Sequence, residues 1–94
     1  MRLIPMALSF PNPSRTFDQT RNAVQFLGHD GLFEIRFFVE AGALAEEIGN
    51  GARMSQARCL TTFDRLRASI QDVAREAYAS KRLNSYTLTA GDFR

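Results

Sequence analysis

Apolar and polar residues alternate most cleanly along residues 32–40. There Phe33, Ile35, Phe37 and Val39 fall on one side and Glu34, Arg36, Phe38 and Glu40 on the other. A period of two is that of a strand, whose successive side chains point to opposite faces. Shorter runs of the same kind mark residues 6–10, a first strand stopped by Pro11 and Pro13, and residues 23–27, a second strand with Val24 and Phe26 on one side. Between these two, Asn12-Pro13-Ser14-Arg15 has turn chemistry. The polar stretch 16–21 predicts an irregular connection with the Phe17 ring tucked in. Gly28-His29-Asp30-Gly31 predicts a tight turn that joins strands two and three into a hairpin.

Beyond residue 40 the period lengthens. Residues 41–48 predict a short helix closed by Gly49, with Asn50-Gly51 continuing the loop. Residues 55–81 predict a long amphipathic helix whose stripe is Cys59, Phe63, Leu66, Ile70, Val73, Ala74 and Ala77, at spacings of three and four. Thr61-Thr62-Phe63-Asp64 resembles a capping sequence, a second place for that helix to break or begin. Unbroken, the helix would run about 40 Å. A domain of this size has a radius of gyration of about 12 Å, so one end would protrude. Residues 85–89 complete the pattern as a strand with Tyr86 and Leu88 inward. The order β-β-β-α-α-β with one-sided apolar faces predicts an α+β fold: a small, mostly antiparallel sheet with a short and a long helix on one face. Residues 6–94 read as a single domain and residues 1–5 as an N-terminal extension.

Composition narrows the functional classes. The chain has 94 residues and a net charge of only +2, with eleven arginines and one lysine, Lys81. Arginine grips phosphates through a planar fork, which invites a nucleic-acid reading. Ten acidic residues are interspersed, however, and no basic run exceeds Lys81-Arg82. One cysteine, Cys59, excludes an internal disulfide, and with one histidine, His29, it cannot form a Cys/His metal cluster. The apolar opening residues 1–8 are too short for a signal-peptide core and are interrupted by Pro5. No apolar run approaches membrane-spanning length, so the expected compartment is the cytoplasm, without a membrane partner.

Several landmarks follow one another in a familiar order: Phe10-Pro11, Ser14-Arg15-Thr16-Phe17-Asp18 with Arg21, Val24-Gln25-Phe26-Leu27-Gly28-His29-Asp30 and Glu34-Ile35-Arg36-Phe37. Phe63-Asp64-Arg65, Ile70, Ala74, Ala77 and Tyr78 continue the series, and Tyr86-Thr87-Leu88 and Asp92-Phe93 close it. In this order and spacing the chain resembles the bacterial domain of unknown function 1488 family, from about residue 6 to residue 93. The resemblance implies a small bacterial cytoplasmic α+β domain that stands alone. It implies no activity, cofactor or catalytic residue. Members commonly begin near the first strand, so residues 1–5 read as an extension or Met6 as an alternative start.

Four groups of residues carry candidate chemistry. His29-Asp30 would need a nucleophile converging on the imidazole, and the only thiol, Cys59, falls on an apolar helical stripe where cysteine is usually inert packing. Arg15, Asp18 and Arg21 could clamp a phosphate or carboxylate, although Asp18 paired with one arginine would simply fix the connection. Glu46-Glu47 reads as a solvated helix face, and neither Gly49 nor Gly51 introduces a phosphate loop. On the sheet face away from the helices, Leu27 and Phe38 would be exposed beside Arg36, and aromatics and arginine are favoured at binding hot spots. These residues predict a non-enzymatic, cofactor-free module that binds a protein partner or a second copy of itself. The alternative is a weak nucleic-acid binder using Arg36 and the arginines of the long helix. An enzyme built on His29 is the third class.

Overall fold

The computed structural model describes residues 8–47 and 54–93. Strands β1 (Leu8–Ser9), β2 (Arg15–Asp18), β3 (Ala23–Asp30) and β4 (Phe33–Glu40) come first, followed by helices α1 (Ala41–Glu47), α2 (Gln56–Arg65) and α3 (Arg67–Ser80). Strand β5 (Ser85–Leu88) and a terminal 3₁₀ turn, Ala90–Phe93, complete the order. The sheet is five-stranded and mixed. β3 and β4 form its antiparallel spine, with Phe26 opposite Phe37 and Leu27 opposite Arg36. β1 and β2 both pair with β3, β2 at its beginning and β1 at its end. β5 adds to the far side of β4 in parallel, Phe37 beside Tyr86, because the helical crossover returns the chain in the same direction. This is the α+β class expected, with the helices among the described residues packed on one face. The proposed extension at residues 1–5, strand residues 6–7 and the closing Gly49 lie outside the described residues.

Three local readings are corrected. Residues 15–18 are a strand rather than an irregular connection, antiparallel to β3 with Phe17 opposite Val24. The turn 19–22 that follows uses Asn22 at φ 52, a left-handed conformation that asparagine tolerates better than most residues. Gly28, His29 and Asp30 belong to β3, and the hairpin turns instead at Gly31-Leu32. Gly31 has φ +62, as a type II′ turn requires at its first position. The turn therefore stands farther out, leaving Leu32 and Phe33 solvated; Phe33, expected in the core, is 74% exposed. The long helix is two helices that meet at Leu66, whose φ −101 and ψ 12 leave the helical range. Its N–H is shared between the carbonyls of Thr62 (3.0 Å) and Phe63 (3.2 Å), so Leu66 itself stays hydrogen-bonded at the junction. Ser55 caps α2 by accepting from the Arg58 N–H at 3.1 Å.

The core lies between the helices and the inner face of the sheet. Val24, Phe26, Ile35, Phe37, Val39 and Leu88 meet Leu44, Cys59, Phe63, Ile70 and Ala74, all buried. Phe37 is stacked between Phe26 and Tyr86, with ring centroids 5.2 and 5.1 Å away. Phe63 descends from α2 onto Phe26 at 5.2 Å. The expected stripe is thus the inward face, Leu66, Val73 and Ala77 forming its half-buried margin. Tyr78 joins it, buried on α3.

Candidate functional site

The outer face of the sheet is set by register. Leu27 and Arg36 are direct cross-strand partners, and so are Gln25 and Phe38, and His29 and Glu34. Arg36, Glu34, Ser85 and Thr87 are exposed, and Gln25, Leu27 and His29 are half-buried. Phe38 is not exposed as expected but only 3% accessible. Phe38 does lie on the face that the alternation predicts, but its ring is covered. The Arg21 guanidinium lies 4.2 Å from the Phe38 ring centroid. Asp18 holds that arginine, accepting from its backbone N–H at 3.0 Å and pairing with its Nε at 3.7 Å. A cation over an aromatic face is attracted by the ring quadrupole and also shields the ring from water. At this end the outer face is closed by the chain's own turn. From Leu27 and Arg36 onward it is open, with no side-chain ion pair to Arg36 among the described residues.

The expected Arg15–Asp18–Arg21 cluster is therefore divided by the pleat. Arg15 and Phe17 face the helices, whereas Asp18 and Thr16 face the other way. Arg15 donates through Nε (2.9 Å) and Nη2 (2.8 Å) to the two carboxylate oxygens of Asp64 on α2. Arg67 Nη2 donates to the same carboxylate at 3.0 Å, its guanidinium 4.9 Å from the Phe63 ring. These bonds, that from Arg15 foremost, hold the Asp64 carboxyl below the usual carboxylate range and raise the Arg15 guanidinium. An open cleft of about 550 Å³ lies here, lined by Pro13, Ser14, Arg15, Thr16, Asp64 and Arg67. The sequence alone does not mark Asp64 and Arg67 as site residues, because Arg15 and Asp64 are 49 positions apart and meet only through the fold.

A third polar group sits at the hairpin end. Tyr78 Oη donates to the Asp30 carboxylate at 2.6 Å, which raises the pKa of the phenol. Arg82 lies 5.4 Å from the Tyr78 ring centroid, and Tyr78 meets Tyr86 edge to face at 6.3 Å. Tyr86 Oη accepts from the Leu83 N–H at 2.7 Å and donates to the Lys81 carbonyl. These bonds tie the 81–84 loop to β5. His29 and Cys59 are not brought together. His29 belongs to the outer face, and Cys59 is buried in the core, which pushes its thiol pKa up. Glu46 and Glu47 are exposed on α1. Of the helix arginines, Arg67 and Arg75 are engaged by aspartates three residues earlier, both at 3.0 Å. Among the described residues no three His, Cys, Asp or Glu side chains could hold a metal ion, and no helix is long and apolar enough to cross a membrane.

No curated protein matches this chain. Among solved structures it is similar to the crystal structure of a protein of unknown function from the DUF1488 family of Shewanella loihica PV-4. The two share 14% identity and a TM-score of 0.79 over 90% of this chain and 94% of that one. At that identity the likeness is one of fold. The family model described as "Protein of unknown function (DUF1488)" matches residues 8–89, most of the length, and the chain belongs to that family.

Proposed function

We propose that this chain is a non-enzymatic binding module whose open outer sheet face docks on a protein surface, a second copy of the chain being its first partner. The observation that carries the reading is the outer row of β4. Glu34, Arg36 and the buried Phe38 follow one another there, with half-buried Leu27 directly opposite Arg36. Two such faces related by a two-fold axis would set Arg36 of each against Glu34 of the other, around the Leu27 side chains. A closed dimer needs a patch that is its own complement, and an acid and a base on one row supply it. Paired sheets also bury apolar groups at the usual spacing of about 10 Å.

Sedimentation velocity over a wide concentration range tests this. The chain is expected to associate reversibly. Arg36→Glu abolishes association by setting like charges together, and the exchange Glu34→Arg with Arg36→Glu restores it. A chain that stays monomeric at every concentration, or an exchanged variant no better than Arg36→Glu alone, refutes the self-association reading.

A further inference from the structure

We propose that the cleft between β2 and the α2–α3 junction binds the phosphate group of a small phosphorylated molecule, held between Arg15 and Arg67. Its walls are Pro13, Ser14, Arg15, Thr16, Asp64 and Arg67. Two guanidiniums share a single carboxylate there, so the cluster keeps a net positive charge. Asp64 occupies Nε and Nη2 of Arg15 and Nη2 of Arg67. The remaining N–H groups, on Nη1 and the second hydrogen of Nη2 in Arg15 and on Nε, Nη1 and the second hydrogen of Nη2 in Arg67, have no hydrogen-bond partner among the described residues. A guanidinium presents five donors in a rigid fork, and a phosphate offers acceptors in the matching geometry.

Asp64 is a positioning residue in this arrangement. An unheld arginine loses rotamer freedom when it captures a ligand, which weakens binding. Both arginines are already fixed, Arg15 by a two-pronged bond across to α2 and Arg67 by Asp64 and the Phe63 ring. Ser14, exposed, and the backbone of β2 at Thr16 complete the same wall. The backbone at Ser14 is pinned by its N–H donating to Asn12 Oδ1 at 2.9 Å. A cleft of about 550 Å³ exceeds a lone phosphate and falls in the size range of small-molecule sites, leaving room for the rest of a metabolite. It lies across the sheet from Leu27 and Arg36, so the inference stands independently of the proposed association face.

The test is a titration of the isotopically labelled full chain with inorganic phosphate and with pyrophosphate at constant ionic strength, followed by amide and arginine side-chain resonances. Saturable shifts are expected at Ser14, Arg15, Thr16 and Arg67, with pyrophosphate the tighter ligand. Arg67→Gln should weaken binding roughly tenfold or more, as loss of a charge-assisted hydrogen bond does. Arg75→Gln removes a similar helix arginine paired to Asp72 and should leave binding unchanged. Shifts that do not saturate, or equal weakening in both variants, would mean diffuse charge attraction and overturn the site. Tighter saturation of the same residues by a single-stranded oligonucleotide would overturn the small-molecule assignment.

Discussion

Gly28→Ala is the sharpest test of how the core is packed. A Cβ at this position would stand 3.0 Å from Leu8 Cδ1, 3.0 Å from Phe10 Cε1 and 3.1 Å from Phe37 Cε2. Such contacts are several tenths of an ångström too close, and the question is which neighbour can yield. Leu8 and Phe10 are the ends of side chains near the sheet edge. Phe37 cannot move, because Phe26 stacks on one of its faces and Tyr86 on the other. Overfilling a packed core costs about 1–3 kcal/mol. Replacing glycine in a strand returns about 0.5–1 kcal/mol by restricting the unfolded chain. The net expectation is a loss of about 1–2 kcal/mol, or roughly 4–16 °C in melting temperature for a domain of this size.

Thermal melts by circular dichroism measure it. The comparison that isolates the cause is the same change in a Leu8→Ala background. Leu8→Ala opens space beside the new methyl, so Gly28→Ala should cost clearly less there, a coupling of neighbours in contact. A Gly28→Ala protein that melts at or above the parent would refute close packing as the reason for glycine at this position, whereas a cost identical in both backgrounds would place the limiting contact at Phe37 rather than at Leu8.

Other variants probe the remaining layers. Ile70→Ala, at a fully buried α3 position, should lose about 2–5 kcal/mol, whereas Asp72→Ala, which breaks only an exposed i,i+3 pair with Arg75, should lose at most about 0.5 kcal/mol; equal melts would mean that the wrong helix face has been placed inside. Phe38→Ser should be strongly destabilising, about 3 kcal/mol, because the ring is buried under Arg21; a parent-like melt would mean that the ring contributes nothing. Asp64, held below the usual carboxylate range by Arg15 and Arg67, adds stability that is present above its unfolded pKa and lost as pH falls through its lower folded one. Asp64→Asn should therefore flatten the acid side of the stability profile, and superimposable profiles would show that the bridge is energetically silent.

The parts legible in the sequence were those with an apolar period. β4 announces itself by strict alternation, and the α2–α3 stripe by spacings of three and four, and both lie where their patterns put them. The failure at β2 has a clear physical origin, that polar side chains at a sheet edge take their partners from far along the chain. β2 carries no apolar alternation, because Arg15 occupies an inward position where the pattern expects a hydrophobe. Its charge is accommodated there by Asp64, 49 residues on. Gly28 looked like a turn residue because glycine serves both turns and close approaches, and only the positions of Leu8, Phe10 and Phe37 distinguish them. The break falls at Leu66, just beyond the capping-like sequence Thr61-Thr62-Phe63-Asp64, and no proline or glycine announces it there.

β2 is also what connects the two candidate surfaces. As a four-residue edge strand it projects Arg15 and Phe17 toward the helices and Thr16 and Asp18 to the opposite face. On the inner side it fixes α2 through the Arg15–Asp64 bridge and frames the proposed phosphate cleft. On the outer side Asp18 steers Arg21 onto Phe38 and so sets where the open face begins. A register slip of one residue in β2 would exchange those two sets of side chains, breaking the helix bridge and uncovering Phe38 together. The turn 19–22 guards against that slip. Asn22 takes the left-handed conformation that closes the turn, and its carbonyl accepts from the Ala41 N–H at 3.0 Å, tying the turn to the start of α1. The polar segment without a readable period is therefore the one that positions both surfaces, and its geometry is set by contacts to α1, α2 and β4 rather than by its own composition.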